Sequence, residues 1–280
     1  MRHIIILLAL FLLFLNSCTE DLDFDYHTVA PLPVIEGYVD DGGARVVISR
    51  TREVTDSARN HYVDDARVTV TDPDGRSVAL ESEGRGVYTS AALRPREGQV
   101  YSLSVTFDGR TFEASDTVGV APADPVGAFV WERVMGQDCV SFRFAVMTPP
   151  DSMTYYVTAM LRNGEVYRWG TFNSYTQEDG YVDGRYLCFN TDDMEGKKGS
   201  SPENVLHDGD RIEVYFAGVT KKSYEYFMAL DMSGSTCANP SWAFKGQALG
   251  VFAARNVARM RPFTFHTDSV LTSLDLTLPH

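Results

Sequence analysis

From about Leu32 onward the hydrophobic residues recur with a period of two, and this constrains the fold more than any other feature. In Val100–Phe107, Tyr101, Leu103, Val105 and Phe107 alternate with Ser102, Ser104 and Thr106. A helix would scatter these side chains around its axis. A strand puts one set on a buried face and the other toward water. Residues 66–71 and 44–49 repeat the pattern, and turn-forming residues separate the runs: Gly42 and Gly43, then Pro73 to Gly75, Gly84, and Asp108-Gly109. Asp108-Gly109 between Phe107 and Arg110 predicts a tight hairpin, because glycine takes positive φ at little cost. The spacing predicts about seven short strands between Leu32 and Asp116, arranged as in a small β-sandwich.

Residues 119–127 read as a linker, because Pro122 and Pro125 forbid a central strand there. Alternation resumes near Ala128. Val140, Phe142, Phe144 and Val146 share one face, and further strands carry Tyr155, Val157, Ala159 and Leu161, then Ile212, Val214 and Phe216. At Lys221 the period changes. Tyr224, Phe227 and Met228 stand at i, i+3 and i+4, which predicts one amphipathic helix over 221–231, closed by Gly234. The expected architecture is all-β and mainly antiparallel. An Ig-like or transthyretin-like sandwich over 32–118 precedes a second β-sandwich-like domain over 128–280 that carries one short helix.

The first 31 residues have a different character. Residues 4–15 are an unbroken apolar run, which suits the core of a signal peptide and is too short to span a bilayer. Leu15-Asn16-Ser17-Cys18 follows and resembles the lipobox of bacterial lipoproteins. That resemblance implies a signal peptide over 1–17, acylation of Cys18 and a tether over 18–31. The alternative is a plain secretory signal followed by a chance cysteine. Two or more acyl chains give stable membrane attachment, at about 0.8 kcal/mol per buried methylene. Thr19, where inner-membrane lipoproteins carry Asp, implies the outer membrane. The acidic stretch 19–25 resembles signals for the cell surface and equally suits a solvated tether, so surface and periplasmic facing both stay open.

Composition narrows the functional classes. The formal net charge of −13 argues against a nucleic-acid partner, which needs clustered Lys and Arg. A hydrophobic content of 44% is enough for a packed core. Besides Cys18, the cysteines are Cys139, Cys188 and Cys237. In an oxidising compartment Cys139 pairs with Cys188, or Cys188 with Cys237, or all three stay reduced. The first pairing would contribute roughly 4 kcal/mol by loop entropy. No C-x-x-C, H-E-x-x-H, G-x-S-x-G, P-loop or dinucleotide fingerprint occurs, and the histidines are scattered singly. Asp64-Asp65 and Asp192-Asp193 read as solvated loop charge, and Asp72 to Gly75 as a tight turn that lacks the spacing of a calcium loop. The expectation is no catalytic set, no metal and no cofactor.

One cluster stands out. Tyr167, Trp169, Phe172, Tyr175, Tyr181 and Tyr186 lie close together among Asn, Gln, Asp and Glu. Flat rings beside polar groups suit a sugar-stacking or protein-binding surface, with Trp169, Tyr175, Tyr181 and Tyr186 as candidate ligand contacts. Alternate rings filling a sandwich core explain the pattern as well.

Several segments in order resemble the outer-membrane lipoproteins grouped as domain of unknown function 4249. They are residues 33–39, 46–51, 66–72, Gly86-Val87-Tyr88, 98–103, Tyr224 to Phe227 and 246–252. The resemblance implies a two-part β-rich lipoprotein, often encoded beside a TonB-dependent outer-membrane receptor, and assigns no activity. The expected function is therefore a non-catalytic, lipid-anchored binding or assembly accessory. A glycan-binding or adhesion module built on residues 167–186 is the alternative, and a cell-envelope hydrolase a more distant one.

Overall fold

Alternating residues build strands through most of the described residues. The computed structural model describes residues 30–52, 61–134, 137–149, 152–174, 181–188, 205–236, 240 and 243–272; at 134, 137, 138, 181–188 and 234–236 it describes the backbone alone. Cys18 and the apolar run over 4–15 lie outside the described residues.

The first half holds β1 (Pro33–Asp40), β2 (Gly43–Arg50), β3 (His61–Tyr62), β4 (Arg67–Thr71), β5 (Ser77–Ala79), β6 (Glu81–Gly84), β7 (Val87–Ser90), β8 (Val100–Phe107) and β9 (Arg110–Thr117). The predicted hairpin joins β8 to β9: Phe107 faces Arg110, and Asp108 and Gly109 have φ of 49° and 68°. The second half holds β10 (Ala123–Val134), β11 (Gln137–Met147), β12 (Tyr155–Arg162), β13 (Glu165–Asn173), β14 (Tyr181–Cys188), β15 (Arg211–Val219), α1 (Lys221–Thr236), β16 (Leu249–Ala254), β17 (Asn256–Arg259) and β18 (Phe263–Thr264). Strand β10 begins inside the stretch expected as a linker. It lies at a sheet edge, and its pairing with β11 is irregular between Ala123 and Val126, where an edge tolerates Pro125.

Two sheets enclose the first core, one ordered β16-β1-β2-β7-β6 with β3 on β2, the other β5-β4-β8-β9. Ile35, Val46, Ile48, Val70, Val105 and Phe112 are fully buried between them. Each such side chain is worth about 1.5–3 kcal/mol of burial. Strand β16 belongs to the C-terminal half of the sequence, yet it pairs parallel with β1, from Val34 opposite Leu249 to Val39 opposite Ala254. It covers an edge that β1 would otherwise leave open. The approach requires glycine. A Cβ on Gly250, whose φ is +109°, would lie 1.9 Å from the Ile35 carbonyl oxygen.

The second core lies between the sheet β10-β11-β14 and the sheet β13-β12-β15-β17, with β18 on β15. Phe129, Phe142, Phe144, Phe216 and Phe265 fill it, with Phe129 meeting Phe265 edge-on at 4.9 Å. Val140, Phe142, Phe144 and Val146 share this face, as their alternation predicts. The other face of the β12–β15 sheet receives α1: Val157, Ala217 and Val219 pack against Tyr224 and Phe227. The helix runs past Gly234 to Thr236, so that glycine does not close it. Tertiary packing can outweigh the roughly 1 kcal/mol that an interior glycine costs. Met228, expected on the buried stripe, is 38% exposed.

Candidate functional site

The aromatic segment divides between environments. Strand β13 has a bulge: Met160 pairs with Arg168 and Leu161 with Val166, which leaves Tyr167 as the extra residue. The bulge changes the phase of the alternation, so Tyr167 and Phe172 both pack against the second core although five positions separate them. Phe172 stacks on Tyr156 at 4.9 Å. Trp169 takes the other face, opposite Ala159, and meets Phe227 of α1 edge-on at 6.4 Å. Tyr175 lies outside the described residues. Tyr181 and Tyr186 sit on β14 at the register positions of Met147 and Phe142, in the sheet opposite β13. Cys139 is buried on β11, and the backbone of Cys188 stands opposite Val140, one register position away. Cys237 lies outside the described residues.

Asp116 is a meeting point that the sequence did not mark. At the end of β9, it is 6% exposed. It accepts hydrogen bonds from the hydroxyls of Thr220 and Ser223, each at 2.7 Å, and from the Ala254 N–H at 3.2 Å. Burial pushes its pKa above the ordinary 3.8, against the lowering effect of these donors. Thr220 also caps α1, its hydroxyl accepting the Ser223 N–H at 3.3 Å. One carboxylate thus joins the N-terminal sandwich, the start of the helix and the inserted strand β16.

Beside this node lies a groove of about 350 Å³ on the outer face of the β4-β8-β9 sheet. Its floor is a register of hydroxyls. Thr71 pairs with Ser102 and Ser102 with Ser115, and one step along the strands Ser104 pairs with Glu113. One wall is Lys222, from the first turn of α1; another is Ala243 and Lys245. That second wall is held to the sheet by two backbone bonds: the Glu113 N–H donates to the Lys245 carbonyl at 3.2 Å, and the Lys245 N–H to the Glu113 carbonyl at 2.9 Å. Gly246 then turns the chain at φ +96°, and a Cβ there would lie 2.6 Å from the Thr111 carbonyl oxygen. Arg110 donates to the Gly246 carbonyl at 2.7 Å.

Sequence reading missed the groove because Ser102 and Ser104 look like the solvent face of any half-buried strand. A signal was present in Lys221-Lys222: two cations open α1, where the helix dipole favours acids, and no acidic residue stands in that first turn. Among the described residues, no three His, Cys, Asp or Glu side chains are grouped to hold a metal ion. No helix among them is long and apolar enough to cross a membrane.

Among the described residues, these features define an all-β protein with two sandwich cores, one α-helix, and a polar groove walled in part by Ala243 and Lys245 from the C-terminal half. The chain belongs to the family described as Domain of unknown function (DUF4249), whose model matches residues 19–258. The match begins one residue after Cys18 and ends within β17. No curated protein matches the sequence.

Proposed function

We propose that the protein is a lipid-anchored component of the outer membrane that works by contact rather than turnover, as a binding or assembly accessory beside a TonB-dependent receptor. The observation that carries this reading is Leu15-Asn16-Ser17-Cys18 directly after the apolar run, with an acidic tether leading into the β-sandwich body. An acyl anchor confines the body to the membrane plane. Its effective concentration near a membrane partner is then high without strong intrinsic affinity. A groove whose wall is held by backbone hydrogen bonds supports a binding role, since a preformed surface loses little entropy on engagement.

Metabolic palmitate labelling tests the anchor. Labelled protein is expected in the outer-membrane fraction, and Cys18→Ala should abolish the label and release the chain to the soluble fraction. Persistent labelling of that variant would overturn the assignment. Affinity capture of the native protein from detergent-solubilised outer membranes tests the partner, and a TonB-dependent receptor should co-purify at near-stoichiometric yield. Its absence from the captured material would remove the receptor from the proposal.

A further inference from the structure

The groove on the β4-β8-β9 sheet has a chemistry that nothing else in the described fold requires. Its floor presents the hydroxyls of Thr71, Ser102, Ser104 and Ser115, each able to donate and accept. Two ammonium groups, Lys222 and Lys245, stand over this floor, and neither has an ion pair among the described residues. The chain has just five lysines within a formal charge of −13, and two of the five line this groove. The first-turn position of Lys222 also opposes the helix dipole, so folding stability does not explain it. The volume is at the small end of ligand sites, which run from roughly 300 to 1,000 Å³. Among the described residues its lining is hydroxyl, ammonium and carboxylate groups with Leu103, Ala114 and Ala243, and no aromatic ring.

We propose that this groove binds a small anionic polyol, a sugar acid or a sugar phosphate. The two lysines meet the anionic group, while the serine and threonine hydroxyls and the Glu113 carboxylate meet the ring hydroxyls. The site deepens the binding role proposed above and does not depend on Cys18, so failure of the anchor and failure of the groove are separable.

The test is calorimetric titration of the full chain, purified in detergent, with glucuronate, glucose 6-phosphate, glucose and inorganic phosphate at low ionic strength. Glucuronate or glucose 6-phosphate should bind at least 10-fold more tightly than glucose or inorganic phosphate, and which of the two binds better separates a carboxylate source from a phosphate source. The double substitution Lys222→Gln, Lys245→Gln should weaken that binding at least 10-fold with the melting temperature unchanged. Ser102→Ala with Ser104→Ala should weaken it several-fold, and Cys18→Ala should leave it unchanged. Absence of binding by both anionic sugars overturns the proposal, as does equal binding of glucose. Inorganic phosphate binding as tightly as the sugars overturns it too, since that marks an anion site with no polyol recognition.

Discussion

Ser223, on the first turn of α1, donates its hydroxyl hydrogen to Asp116 Oδ2 at 2.7 Å, across 107 positions of sequence. The Ala254 N–H reaches the same oxygen at 3.2 Å. Through this one atom, the helix start and the strand inserted from the C-terminal half are both held to β9.

Asp116→Ala should therefore cost about 3 kcal/mol, because it leaves two hydroxyls and an N–H without their acceptor in a buried site. Asp116→Asn should cost less. The pH dependence has a definite sign. Burial raises the folded pKa above 3.8, so the folded state holds the proton to higher pH than the unfolded chain. The stabilisation tied to that proton is present below 3.8 and is lost as pH rises through the folded value. Urea unfolding at a series of pH values should show the advantage of wild type over Asp116→Asn shrinking as pH rises from 4. An advantage that grows with pH would reverse the assignment.

Glycines at close crossings should separate from those in open turns. At Gly218 a Cβ would lie 2.0 Å from the Val120 carbonyl oxygen, where the connection to β10 crosses β15. At Gly250 the corresponding clash is with Ile35, at positive φ. Alanine at either position should cost about 3 kcal/mol or more, since backbone must move. Gly75, at φ +80° with nothing within 4 Å, should cost about 1 kcal/mol as alanine. Equal melting temperatures for Gly250→Ala and Gly75→Ala would show that the parallel strand is not seated as described.

Two neighbouring ion pairs should differ in worth. Arg255 donates from Nη2 and Nε to Asp40 Oδ2 at 2.7 and 3.1 Å, and its guanidinium lies 3.7 Å from the centre of the Tyr38 ring. Both side chains are mostly buried, so Arg255→Ala should cost about 3 kcal/mol. Arg259 pairs with Asp41 at the surface, and Arg259→Ala should cost under about 1 kcal/mol. The hydrogen bond from Arg259 holds the Asp41 carboxyl below its ordinary value. Its small contribution is present above 3.8 and fades as pH falls through the folded pKa. Chemical denaturation of the two variants side by side checks the ranking.

Tyr226 on α1 should titrate late. Burial pushes its hydroxyl up to about 12 from 10. The neutral form is favoured in the folded chain, so its contribution is intact below pH 10 and is lost between 10 and about 12. Ultraviolet titration of the folded protein should show a phenol ionising near the upper end of that window, absent in Tyr226→Phe. Loss in the variant of a phenol that ionises near 10 instead would place Tyr226 in solvent.

The segment 246–252, one of the pieces behind the family resemblance, acquires a physical meaning in the fold. Gly246 and Gly250 sit at positive φ against carbonyl oxygens of Thr111 and Ile35. Ala248 between them is fully buried in the first core. The residues were visible in the sequence, but their partners were not, because a glycine signals a close approach without naming what approaches. The bulge at Tyr167 was hidden for a similar reason: alternation reports a period, and one inserted residue changes the face of everything on one side of it.

Local sequence accounts for the all-β class, the hairpin at Asp108-Gly109, the helix that starts at Lys221, and the inward face of Val140 to Val146. Each depends on dihedral preference or on hydrophobic period over a few neighbouring residues, which a linear reading can detect. Tertiary structure alone decided that Leu249–Ala254 would lie parallel to β1, that Asp116 would receive Thr220 and Ser223, and that Lys222 and Lys245 would meet one register of hydroxyls. These choices join residues more than a hundred positions apart. What selects them is the closing of an open sheet edge and the satisfaction of buried polar groups, and both are properties of the assembled core rather than of any local stretch.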